Sequence, residues 1–139
     1  NRDAAVGTPY FMAPEQARAK AAGRPIADWA RADVWGVGCS FLALLASNPF
    51  ACGSRERLAR HTDYARWHAA ATGPRWMHRR ASWARQAPVF QAAFDRLNPT
   101  WRPFFLDLLH PRAAARPDAA AALRRLDTLL AQGHHDALA

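Results

Sequence analysis

Asp33 to Ala46 (DVWGVGCSFLALLA) is the densest apolar stretch of the chain. Apolar residues fall on every side of a helical wheel, which predicts a helix buried all round rather than one facing solvent. Asp33 stands where a helix N-cap or a neighbouring turn takes an acidic residue. Gly36 and Gly38 lie inside the run. Each costs about 1 kcal/mol against alanine, so close approach of another backbone is expected there. Asn48-Pro49 closes the helix.

Around this rod the pattern predicts further helices and no strand. Residues 1–13 read as loop, and Pro14 suits the first turn of a short helix over roughly 14–20. Residues 21–29 return to loop. Residues 51–80 show weak periodicity and predict short helices with loops. Trp83, Val89, Phe90, Phe94 and Leu97 give one apolar side to a helix over 82–97, with Pro88 as a break or kink. Trp101, Phe104, Phe105, Leu108 and Leu109 do the same over 99–109. Asp118 caps a last helix in which Leu123, Leu126, Leu129 and Leu130 keep helical spacing. Residues 133–139 read as a solvated tail. The expected class is mainly α.

Half of the 139 residues are apolar and six are Trp, enough for a packed core. No apolar run reaches about 18 residues, so no membrane span or membrane partner is expected, and no secretory leader is visible. The net charge of +8 is carried by arginine, Lys20 being the single lysine. The arginines are spread along the chain in a background rich in Ala and Pro. That distribution fits codon bias better than a nucleic-acid-binding surface. Cys39 in the apolar run reads as a core residue, and with Cys52 it makes no disulfide framework. An intracellular, cytoplasmic setting is expected. His134-His135 lack further ligands nearby, so no metal site is expected.

Three motifs remain, in order along the chain. They are Gly7-Thr8-Pro9-Tyr10-Phe11-Met12-Ala13-Pro14-Glu15, then Ala32-Asp33-Val34-Trp35-Gly36-Val37-Gly38 followed by Asn48-Pro49-Phe50, then Leu108-Leu109-His110-Pro111 through Arg116-Pro117-Asp118-Ala119. Together they resemble the second half of eukaryotic-type Ser/Thr protein kinase domains, from the end of the activation segment to the final helix. The resemblance implies the helical C-lobe of the kinase fold over 1–132, with an irregular insertion around 51–98 and a tail at 133–139. The N-lobe and the catalytic loop would lie before this chain.

The resemblance also assigns roles. Gly7, Thr8, Pro9 and Tyr10 would line the docking loop for the protein substrate. Glu15 and Arg116 would form a buried ion pair that latches this segment to the lobe. Arginine suits that task because its fork makes two parallel hydrogen bonds to a carboxylate. Asp33 would anchor the catalytic loop, and Trp35 and Gly38 would belong to the buried helix. Trp67, Trp76 and Trp83 in the insertion read either as a local mini-core or as a partner patch. The Gly-rich loop, strand lysine, His-Arg-Asp and Asp-Phe-Gly motifs do not occur in residues 1–139. None of these residues is therefore catalytic, and ATP and Mg²⁺ would be bound by the intact parent and not by this chain alone. The implied activity is transfer of the ATP γ-phosphoryl group to protein Ser/Thr. The alternative is a non-catalytic, pseudokinase-like scaffold or interaction module. The missing N-lobe half is an expected partner in either case.

Overall fold

The computed structural model describes residues 11–45, 57–73 and 88–139, and these are mainly helical. The elements run α1 (Pro14–Ala22), α2 (Trp29–Leu45), α3 (Arg57–Thr72), α4 (Pro88–Arg96), α5 (Arg102–Leu108), a single 3-10 turn (Ala113–Ala115) and α6 (Ala119–Ala131). Among the described residues there is no strand, only an isolated bridge between Leu97 and Leu138. No described helix is long and apolar enough to cross a membrane.

Local chemistry explains most of the boundaries. Pro14 opens α1, where the missing N–H would have had no partner. The Gln16 side chain reaches back to accept from the Ala13 backbone N–H at 2.8 Å. Gly23, at φ 63°, ends the helix in the left-handed conformation that a Cβ disfavours. Its N–H bonds back to Lys20 O. Pro88 opens α4, and a proline also sits in the first turn of α5. Asp118 caps α6 by accepting from Ala121 N–H at 2.7 Å.

α2 begins at Trp29, four residues before the expected start. Asp28 rather than Asp33 serves its first turn, accepting from Arg31 N–H at 3.0 Å. Asp33 is a helical residue on the exposed side. α3 is a single 16-residue helix where short irregular pieces were expected. Tyr64, Trp67, His68 and Ala70 are buried at helical spacing. His and Ala among them dilute the apolar signal that would have marked the helix. Residues 133–139 are also more tied down than a free tail. Asn98 N–H donates to Ala137 O at 2.7 Å, and Ala139 N–H to Arg96 O at 2.9 Å.

One main core joins α2 to α3, α4 and α5. It includes Trp35, Cys39, Leu42, Tyr64, Trp67, Phe90, Phe94, Phe105 and Leu108. α6 covers it through Ala122, Leu126 and Leu129. Trp67 lies in this main core, its indole N–H donating to Gln91 Oε1 at 3.0 Å, so it belongs neither to a separate mini-core nor to a surface patch. Trp76 and Trp83 lie outside the described residues. A smaller cluster of Met12, Ala17, Ala19 and Ile26 sits beneath α1. Burial pushes the Cys39 thiol and the Tyr64 hydroxyl well above their ordinary values, so both stay neutral.

The two glycines of α2 differ. A Cβ on Gly38 would fall 2.9 Å from Leu109 Cδ2 and 3.0 Å from Leu108 Cβ. The close neighbours are thus leucine side chains of α5 and its end, not another backbone. A Cβ on Gly36 would meet only Phe11 O, at 4.0 Å. Opposite signs follow. Gly38→Ala should lower stability by about 1 kcal/mol net, overpacking outweighing the gain in helix propensity. Gly36→Ala should raise it by up to about 1 kcal/mol. Urea denaturation of the two variants checks this, and equal shifts would contradict the packing at Gly38.

Candidate functional site

Two features stand out: a clamp around Arg116 and a groove along the exposed side of α2. Arg116 follows the 3-10 turn and is 1 % exposed. Glu15 lies in the first turn of α1, where the helix N-terminus favours a carboxylate. The two side chains meet fork to fork. Arg116 Nη1 donates to Glu15 Oε1 at 2.6 Å, and Nη2 donates to Oε2 at 2.8 Å. The cation is enclosed while the Glu15 side chain keeps 21 % of its exposure, so the pair is buried from one side only.

Two further N–H groups of the guanidinium are also used. Nη1 donates to Arg31 O at 2.9 Å, and Nε donates to His110 O at 2.7 Å. Arg31 returns the contact, its Nη1 donating to Arg116 O. The guanidinium carbon lies 5.1 Å from the centre of the Trp35 ring, within cation–π range. α1, α2 and the segment before α6 are thereby tied at one point. Charge-assisted bonds in such a partly desolvated place are the strong kind.

The second feature is a groove of about 560 Å³. Phe11 and Met12 form one wall, and Asp33, Val37, Ser40, Phe41 and Leu44 run along the other. Val37, Phe41 and Leu44 are 49, 41 and 83 % exposed. The helix expected to be buried on all sides is therefore buried on one side only in this chain. Trp35 and Gly38 face the core, and Asp33 faces the groove. The Asp33 carboxylate makes no hydrogen bond or ion pair among the described residues. Ser40 Oγ is satisfied by Gly36 O at 2.9 Å. The groove thus offers an apolar strip with one carboxylate at its edge.

Of the residues singled out by motif, Glu15, Arg116 and Trp35 come together, and Gly38 lies on the same helix against Leu108 and Leu109. Asp33 stands apart from them on the groove side. Gly7, Thr8, Pro9 and Tyr10 lie outside the described residues, as do Asn48, Pro49, Phe50 and Cys52. Sequence reasoning missed Arg31 and His110, which complete the clamp. They act partly through backbone carbonyls, which leave no side-chain signature. Among the described residues no three His, Cys, Asp or Glu side chains gather where a metal ion would be held. Comparison with protein-family models, with curated proteins and with solved structures gives no match.

Proposed function

We propose that this chain is the later, helical part of a Ser/Thr protein kinase domain. The intact protein would transfer the ATP γ-phosphoryl group to Ser or Thr hydroxyls of a protein substrate. One observation supports this above the others. Glu15 of the Ala-Pro-Glu motif and Arg116 of the Arg-Pro-Asp-Ala motif, 101 positions apart, form a two-pronged pair beside Trp35 of the Asp-x-Trp motif. Three motifs read separately from the sequence converge on one clamp.

In this reading the clamp holds the activation-segment end against the lobe, and Gly7 to Tyr10 supply the substrate-docking loop. The groove, with its apolar strip and the Asp33 carboxylate, is the seat of the preceding half of the domain. Residues 1–139 carry no Gly-rich phosphate cradle and no catalytic-loop motif. ATP and Mg²⁺ therefore do not fit the residues of this chain, and no chemical step is assigned to them here. An intracellular location belongs to the same proposal.

The test is phosphoryl transfer by the protein expressed with its upstream coding sequence. Label from γ-labelled ATP should appear on Ser or Thr of a generic basic protein substrate, and Asp33→Ala should reduce the rate at least about tenfold. No transfer, together with an upstream region lacking His-Arg-Asp and Asp-Phe-Gly, would replace this reading with the non-catalytic scaffold.

A further inference from the structure

Directly behind the clamp lie two histidines that the proposed function does not use. His68 of α3 is 3 % exposed, and its Nε2 lies 2.7 Å from Leu106 O. A carbonyl only accepts, so Nε2 carries the hydrogen, and Nδ1 is bare in the neutral ring. The His110 ring stands edge-on to it, centroids 4.9 Å apart. His110 Nδ1 accepts from Arg112 N–H at 3.1 Å, so this nitrogen is also unprotonated. The backbone carbonyl of the same His110 is the acceptor for Arg116 Nε.

We propose that His68 and His110 form a proton-sensitive hinge: protonation of the pair frees residues 110–116 and unseats Arg116 from Glu15. A proton on His110 Nδ1 turns an acceptor into a donor facing the Arg112 N–H, and that bond is lost. A proton on His68 Nδ1 places a cation in a nearly closed site against the His110 ring. The other groups facing the pair oppose this on balance. Arg112 and Arg116 repel a cation at His110, and Tyr64, whose ring is 5.9 Å from His68, is neutral. Asp107 attracts a proton to both rings, yet it is already engaged by Arg125.

The direction of the pH effect follows. Burial, chiefly, lowers both histidines below the ordinary value of about 6.5. In the opened loop they return to that value. The open form thus binds more protons, and closure is intact above pH 6.5 and weakens as pH falls below it. This inference stands apart from the kinase reading, because its readout needs no phosphoryl transfer.

The experiment is amide hydrogen exchange on the full chain between pH 7.5 and 5.5, corrected for intrinsic rates. The reporters are the Leu109, His110, Ala115 and Arg116 amides, which close the loop onto Phe105, Asp107, Arg112 and Ala113 carbonyls. Their opening should rise up to about tenfold per pH unit for one proton and a hundredfold for two. The α2 amides should not follow. In the double variant His68→Gln, His110→Asn the response should vanish, since each amide keeps the needed donor or acceptor and cannot titrate. The proposal is overturned if the loop amides track α2, or if the double variant keeps the pH response. Should that variant not fold, proton NMR titration of the two wild-type imidazoles decides. Midpoints below 6.5 that coincide with loop opening support the hinge, and a midpoint at or above 6.5 for either ring overturns it.

Discussion

Arg116→Ala is expected to cost the fold about 3 kcal/mol or more. The substitution removes a guanidinium that is 1 % exposed and satisfies Glu15, Arg31 O and His110 O together. Glu15 retains 21 % exposure and can partly rehydrate, which places the cost near the lower end of the range for buried pairs. The Arg31 and His110 carbonyls lose a charged donor as well, and a cavity opens beside Trp35. Glu15→Ala should be comparable, because it strands the enclosed cation with only carbonyls and an aromatic face. Arg116→Lys keeps the charge but loses the fork, so it should recover only part of the loss. Urea denaturation with the slope checked for constancy measures all three. A loss below about 1 kcal/mol for Arg116→Ala would put the pair among ordinary surface ion pairs.

Trp35→Ala carries the other large effect, about 3–5 kcal/mol. The ring is fully buried, meets Tyr64 edge-on at 5.2 Å and 87°, and lies under the Arg116 guanidinium. Its loss removes a large apolar volume from the centre of the core and the aromatic face from the clamp. Trp35→Phe should restore a substantial part, since a smaller ring still presents a face. Because Trp35 and Arg116 touch, the two alanine substitutions should not add. A double-mutant cycle should show a coupling of about 0.5–2 kcal/mol. Strict additivity would mean that the ring and the guanidinium, although close, do not stabilise one another.

Local signals carried much of the secondary structure. Asp118 with leucines at helical spacing marks α6, and Pro14 marks the start of α1. Pro88, expected as a break or kink within a helix over 82–97, is the first residue of α4. Where signals were diluted the reading fell short. α3 buries His68 and Ala70 beside Tyr64 and Trp67, so its apolar face is hidden in a polar-looking stretch. The start of α2 was placed at Asp33 and residues 21–29 in loop, whereas the helix begins at Trp29 with the Asp28 carboxylate accepting from the Arg31 N–H. An all-apolar helix says that every face wants cover, not that this chain supplies it. Val37, Phe41 and Leu44 show that distinction. Motif order singled out Glu15 and Arg116, whose side chains meet. The reinforcement by Arg31, His110 and His68 was illegible, since it depends on carbonyls and ring packing between distant segments.

The clamp also bears on how the molecule comes into being. Joining Glu15 to Arg116 closes a stretch of 101 positions, so the bond belongs to the late, non-local part of folding. During synthesis at ~5–20 residues per second, Glu15 is added to the chain roughly 5–20 seconds before its guanidinium partner. Through that interval the nascent chain must hold its oily central helix without the fastener that completes it.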